Sequence, residues 1–231
     1  MERREGTPQG GPLSPLMANV LLDEVDKELE KRGHAFARYA DDCNVYVRSE
    51  RAGKDVMETL RRLYAKLRLK VNESKSAVAR PWKRKFLGYS FWVAKGRVIK
   101  RRVAPKALKA MKKRVRQITR RSGGRSMSSV TTELRSYLLG WKGYFYLADT
   151  PNKFRRLDGW IRRRLIAVQL KQWKRGSTAY RKLRARGVPE RVARAAAAHV
   201  TSWWRTSAHG ALKTAYPSRY FDRIRVPRLA A

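Results

Sequence analysis

At 231 residues the chain is long enough for one large domain or two small ones, and a 42% hydrophobic share is ordinary for a protein with a core. The charge is not ordinary: 56 Lys+Arg against 18 Asp+Glu leave a net +38, a load that repels itself unless a polyanion neutralises it, so nucleic acid is the expected partner and an anionic membrane surface the weaker alternative. One cysteine and three scattered histidines (His34, His199, His209) exclude a disulfide framework and offer no metal cluster. No apolar run approaches a membrane span and Met1–Gly11 is too polar for a signal peptide, so no membrane insertion is expected and the cytoplasm is the expected location.

The charge is unevenly placed. Residues 1–50 carry 7 basic and 10 acidic side chains, whereas residues 74–231 carry 42 and 5. The stretch Lys95–Arg125 has 14 basic residues and no acidic one. A mildly acidic N-terminal part therefore meets a strongly basic remainder, with a soft boundary near Arg101–Pro105 where strand-like sequence gives way to helix-like sequence.

In chain order, Gly6-Thr7-Pro8-Gln9-Gly10-Gly11-Pro12 reads as a loop from its Pro and Gly density. From Ser14, the stripe Leu21, Val25, Leu29 predicts a helix that Gly33 closes. Ala35–Tyr39 and Asn44–Val47 read as strands around Ala40-Asp41-Asp42-Cys43, a hairpin with two carboxylates at its tip. Met57–Leu67 is an amphipathic helix with Leu60, Leu63 and Leu67 aligned, and Phe86–Val93 with Arg97–Val103 form a second hairpin turned at Lys95-Gly96. Beyond Pro105 the chain reads as helical. Ala107–Arg121 is basic around most of its circumference; Thr131–Leu147 carries Leu134, Leu138, Trp141 and Phe145 at helical spacing; Phe154–Trp173 repeats this with Phe154, Leu157, Ile161, Leu165 and Val168. Pro189, at a first helical position, opens an alanine-rich helix to about Val200, and Tyr216–Leu229 reads as irregular chain.

Adjacent aspartates at a hairpin tip repel each other and are stable as ions only beside cations. A bare Asp-Asp turn is usually solvated and idle; the functional alternative is a Mg²⁺ site for phosphoryl transfer, since hard oxygen donors suit that ion. The neighbouring segments favour the second reading. Gly6–Leu16 (with Gln9-Gly10-Gly11-Pro12-Leu13-Ser14-Pro15), then Tyr39-Ala40-Asp41-Asp42, then Leu69-Lys70-Val71-Asn72-Glu73-Ser74-Lys75, then Phe86-Leu87-Gly88-Tyr89 resemble, in order, successive motifs of the palm of group II intron-encoded reverse transcriptases. Leu138-Leu139-Gly140-Trp141-Lys142-Gly143-Tyr144-Phe145 resembles the core of that family's maturase-specific domain.

The resemblance implies an α+β protein: the C-terminal part of a polymerase palm over residues 1–103, followed by an all-helical thumb or maturase-specific RNA-binding region over 104–231. It implies RNA-directed DNA polymerisation and assistance to intron splicing, with Mg²⁺ as cofactor. The implied partners are group II intron RNA, a template RNA–primer DNA duplex and deoxynucleoside triphosphates. Asp41 and Asp42 match the metal-binding catalytic pair; Lys75 matches a lysine near the triphosphate, where it can neutralise or protonate leaving pyrophosphate. Gln9, Gly10 and Tyr39 match the surroundings of the incoming nucleotide and template. Phe86, Leu87, Gly88 and Tyr89 match the hairpin that positions the primer end, though the aromatics also suit a core. Cys43 reads as packing rather than a reactive group.

Arg and Lys interleaved with Trp, Tyr and Phe suit phosphate tracking and base stacking. Lys109, Lys112, Lys113, Arg116, Arg120 and Arg121, in a segment without acids, are the expected RNA contacts, whereas Trp141, Trp160 and Trp173 fall on or beside apolar stripes and read as core. A palm also requires a third carboxylate on a strand before the Gln-Gly-Gly-Pro loop, and only six residues precede Thr7. The expectation is a polymerase without its fingers and first palm motif, completed by further sequence or by a second chain carrying an N-terminal fragment. The alternatives are a non-catalytic intron RNA-binding maturase remnant and another bacterial reverse transcriptase.

Overall fold

The computed structural model describes residues 11–230, and they divide into two compact units meeting in sequence at Leu87–Gly88. Small antiparallel sheets combine with helices in an α+β arrangement, as expected.

The first unit begins with α1 (Ser14–Lys31), which has proline in its first turn, where a missing N–H costs nothing. Its buried stripe is Leu22, Val25 and Leu29. Leu21, expected on that stripe, is exposed: spacings of three and four track a 3.6-residue turn better than two spacings of four. Leu13, Leu16, Met17, Val20 and Leu21 leave an apolar flank of α1 open. Gly33 ends the helix as expected, with φ +68° and its N–H donated to the Glu30 carbonyl at 2.8 Å. Strands β1 (Ala35–Tyr39) and β2 (Asp42–Tyr46) pair antiparallel with Tyr39 opposite Asp42, so the connection is only Ala40-Asp41. The second strand therefore starts two residues earlier than predicted, at Asp42 itself. Helix α2 (Glu50–Lys66) likewise starts seven residues before the predicted Met57. Its start signal is Ser49, whose hydroxyl accepts the Ala52 N–H at 3.1 Å. Leu60, Leu63 and Leu67 pack against the Leu22–Val25–Leu29 cluster together with Phe36, Cys43 and Val45. A short strand, β3 (Lys85–Phe86), closes the unit.

The second unit opens with β4 (Tyr89–Val93) paired to β5 (Ile99–Val103), with Gly96 at φ +79° in the turn. The predicted strand from Phe86 is interrupted, because Leu87 and Gly88 both take positive φ, 49° and 76°. Helices α3 (Pro105–Ile118), α4 (Met127–Tyr144) and α5 (Pro151–Trp173) follow. Leu134, Leu138, Trp141 and Phe145 of the α4 segment and Phe154, Leu157, Ile161, Leu165 and Val168 of α5 are buried, as their spacing requires. Each such aliphatic or aromatic burial stabilises by roughly 1.5–3 kcal/mol. Met111, Val115 and Ile118 of α3 join the same core.

The C-terminal part is more ordered than its composition suggests. Helices α6 (Gly176–Arg184), α7 (Glu190–Ala198), α8 (Trp203–Thr206), α9 (Gly210–Ala215) and α10 (Ser218–Arg223) follow in turn. Pro189 is the N-cap of α7 rather than its first residue. Tyr216, Phe221, Val226 and Leu229 are buried, so the segment predicted to be irregular contains a short helix and contributes to the core. Its Pro and Arg content hid this because the apolar residues are too few and too widely spaced to show a helical period.

Candidate active site and nucleic-acid interface

The two-residue connection between β1 and β2 presents Asp41 and Asp42 at the surface, and neither makes an ion pair among the described residues. Ala40, which precedes them, holds φ +50°, a left-handed conformation that strains an L-residue with a Cβ by about 1–3 kcal/mol. Two adjacent exposed carboxylates are hard oxygen donors of the kind that Mg²⁺ takes. Among the described residues no group of three or more His, Cys, Asp or Glu side chains could hold a metal ion, so the pair amounts to part of a ligand set.

The sequence did not single out Arg38, whose guanidinium lies behind this turn. Its Nε donates to both Asp26 carboxylate oxygens at 2.8 Å, and Nη2 donates to Oδ2 at 2.5 Å. Its Nη1 donates to Asn19 Oδ1 at 3.0 Å and to the Ala40 carbonyl at 3.1 Å. The Asp26 hydrogen bond raises the Arg38 pKa above its ordinary value. Cys43, opposite Arg38 in the strand register, has its thiol pushed up to about 11, first by burial and then by the Asp26 charge. It is therefore a protonated packing group at neutral pH, as expected.

Tyr39 is exposed at the end of β1, opposite Asp42. Gln9 and Gly10 lie outside the described residues. Lys75 is exposed at the end of a turn built on Asn72, with its N–H donated to the Asn72 carbonyl at 3.0 Å and its own carbonyl accepting from Arg84 Nη2 at 2.5 Å. Arg61 of α2 fastens this turn by donating to both oxygens of Glu73. Phe86 and Leu87 are half-buried at the end of the first unit. In the second unit Gly88 faces Phe145, where an added Cβ would stand 3.1 Å from Cζ, and the Tyr89 hydroxyl donates to the Tyr144 carbonyl at 2.5 Å.

The predicted RNA contacts lie on and just beyond α3. Lys109, Lys113, Arg116, Arg120 and Arg121 are exposed and Lys112 is half-exposed; none forms an ion pair among the described residues. Arg114, by contrast, pairs with Glu133, which Arg125 also holds. Unpaired cations gathered along one segment form the electrostatic footprint of a polyanion partner.

Tertiary folding adds residues that the sequence reading missed. Arg164 of α5 donates through Nε to Thr119 Oγ1 at 2.5 Å and through Nη2 to the Thr119 carbonyl at 3.1 Å, capping the end of α3. Its pKa is lowered, first by burial and then by Arg121 and Arg116, so three guanidiniums share this end of the helix, and none of them forms an ion pair among the described residues. Trp160, predicted to be core, is only half-buried and has Arg116 and Arg164 over its ring at 5.7 and 5.8 Å. Lys171 and Arg121 lie over Trp203 at 4.1 and 5.4 Å, and Arg163 lies over Trp204 at 4.0 Å. The available signal was the Trp203-Trp204 pair itself, followed by Arg205, but only packing tells which cations reach it. Trp141 and Trp173 are buried as predicted. No described helix is long and apolar enough to cross a membrane.

Residues 1–91 match the family of reverse transcriptases (RNA-dependent DNA polymerases), which sets the first part of the chain among that class of proteins. Residues 108–187 match the group II intron maturase-specific domain. With the two in this order, the chain belongs to the group II intron-encoded reverse transcriptase/maturases. No curated protein matches it. Reverse transcriptases use divalent metal, and both matched families imply nucleic-acid partners.

Proposed function

We propose that the chain supplies the carboxylate turn, the triphosphate lysine and the RNA-gripping thumb of an RNA-directed DNA polymerase that also helps its intron fold and splice. The observation that carries this reading is the exposed Asp41-Asp42 turn, unpaired by any described cation, inside a region matched to reverse transcriptases and followed by a maturase-specific domain. The functional division proposed is residues 1–103 for the palm and 104–231 for the thumb, supported by matches that end at 91 and resume at 108.

The proposed reaction is attack of a primer 3′-hydroxyl on the α-phosphorus of a deoxynucleoside triphosphate, which forms a phosphodiester and releases pyrophosphate. Asp41 and Asp42 would hold divalent metal, which supplies charge neutralisation at the attacking and leaving oxygens. Lys75 would meet the triphosphate and stabilise charge on the departing pyrophosphate. Gln9, Gly10 and Tyr39 would line the nucleotide and template side, and Phe86, Leu87, Gly88 and Tyr89 the primer end. Lys109, Lys112, Lys113, Arg116, Arg120 and Arg121 would contact RNA phosphates. The proposed partners are intron RNA, the template–primer duplex and deoxynucleoside triphosphates, in the cytoplasm.

The test is primer extension with Mg²⁺, using the 231-residue chain alone and mixed with a fingers-and-first-palm fragment from a relative. The chain alone is expected to bind RNA without extending the primer, because loss of even ~4 kcal/mol of transition-state stabilisation slows a reaction about a thousandfold. Mixing is expected to restore synthesis, and Asp41→Ala to abolish it while leaving RNA binding intact. Synthesis by the mixed Asp41→Ala enzyme within tenfold of its parent would remove Asp41 from the site. A mixture that binds RNA but never extends would favour the non-catalytic maturase.

A further inference from the structure

We propose that Arg38 is a positioning residue for the carboxylate turn: held by Asp26 and Asn19 of α1, its guanidinium grips the Ala40 carbonyl and thereby sets the direction in which Asp41 and Asp42 present their carboxylates. This rests on the reading of Asp41 and Asp42 as metal ligands.

A two-residue hairpin turn has few internal constraints, and this one contains alanine in a left-handed conformation rather than glycine. Something outside the turn must hold it there. Arg38 is the described residue that bonds to it from behind. Its side chain is 12% exposed and Asp26 is 19% exposed, so the pair is largely shielded and its geometry is not averaged by solvent. One edge of the guanidinium is occupied by the Asp26 carboxylate, and Nη1 is shared between Asn19 Oδ1 and the Ala40 carbonyl. Because the fork is planar and rigid, fixing it on α1 fixes where Nη1 points. The turn is thereby referenced to α1, whose Val25 and Leu29 are fully buried, rather than to the exposed strand ends.

Charge balance alone would need only a cation beside Asp26. Positioning needs the fork, because an ammonium is a point charge that cannot engage both carboxylate oxygens and the Ala40 carbonyl from one fixed plane. Arg38→Lys therefore separates the two explanations. It keeps the charge opposite Asp26 and loses the grip on the turn.

The experiment uses the 231-residue chain and Mn²⁺, whose paramagnetism broadens amide resonances near wherever it binds, even at a weak site. In the parent, substoichiometric Mn²⁺ is expected to broaden Asp41, Asp42 and their neighbours selectively, and Asp41→Ala is expected to remove that effect. In Arg38→Lys, with the Val25 and Leu29 resonances unmoved, the Mn²⁺ concentration that half-broadens the turn should rise about tenfold, equivalent to ~1.4 kcal/mol. An unchanged concentration would reduce Arg38 to a counter-ion of Asp26 and overturn the proposal. Should Arg38→Lys fail to fold, Asn19→Ala decides at an exposed position. It should raise the concentration about threefold (~0.65 kcal/mol), and no change would overturn the proposal. Absence of selective broadening in the parent, or its persistence in Asp41→Ala, would instead sink the metal-site reading and this proposal with it.

Discussion

The carboxylate of Asp158, buried within α5, accepts the backbone N–H of Leu229 at 2.9 Å, 71 residues further along the chain. Its second oxygen accepts the Ala230 N–H at 3.1 Å, while Lys142 Nζ donates to the Arg228 carbonyl at 3.0 Å. Polar side chains of α4 and α5 thus satisfy backbone groups of the last described residues, and Leu229 is buried alongside them.

Asp158→Asn is nearly isosteric yet replaces one acceptor oxygen by an NH₂ that faces a backbone N–H. Leaving that donor unsatisfied should cost about 1–3 kcal/mol. The expected result is a lower urea midpoint and earlier proteolytic cleavage near Arg225–Arg228. An unchanged midpoint would show that the tail is not anchored there.

Neutralising Lys112, Lys113 and Arg116 together should weaken RNA binding and flatten its log–log salt dependence by about three or slightly less, roughly one per lost phosphate contact. The measurement is a salt titration of RNA affinity. A slope equal to the parent's would return α3 to an idle solvated face. Melting temperature should fall only slightly, since none of the three forms an ion pair among the described residues and the Arg116 contact with the Trp160 ring contributes about 0.5–1 kcal/mol.

Gly53 is buried in α2, and a Cβ there would stand 2.5 Å from Val78 Cγ1. Alanine favours a helix over glycine by about 1 kcal/mol, but overpacking against a stiff β-branched side chain costs about 1–3 kcal/mol. Gly53→Ala should therefore destabilise, and Gly53→Ala combined with Val78→Ala should recover most of the loss. Thermal melts of both variants test this; a stabilised single variant would refute the close approach.

Cys43 should alkylate slowly at pH 8 and accelerate as pH approaches about 11, the value to which burial pushes its thiol from an ordinary 9.0. The folded state keeps the proton longer than the unfolded one. The associated stability is therefore fully present below about 9 and is lost as pH rises through about 11. Iodoacetamide kinetics against pH provide the check, and a rate already at its plateau by pH 9 would contradict the burial.

Much of the architecture was legible because local periodicity carries it. The stripes Leu134–Leu138–Trp141–Phe145 and Phe154–Leu157–Ile161–Leu165 are the buried faces of α4 and α5. Errors cluster where local signals are weak or doubled. The start of α2 was missed because Gly53 interrupts the pattern, although Ser49 caps it. Leu21 and Leu22 compete for one stripe, and only packing against Leu60 and Leu63 selects Leu22.

The sequence by itself determined the local features: two adjacent carboxylates between short strands, a basic segment without acids of its own, and motifs whose order identifies the family. It could do so because these features lie within runs of a few residues, where spacing alone fixes what is adjacent. The tertiary structure decided which distant groups support them. Arg38 reaches Asp26 and Asn19 as well as Ala40, Arg164 reaches Thr119, and Lys171 and Arg163 reach Trp203 and Trp204. Such pairings depend on helices closing against one another to within hydrogen-bonding distance. That condition is set by the summed packing of the core, and no single stretch of sequence expresses it.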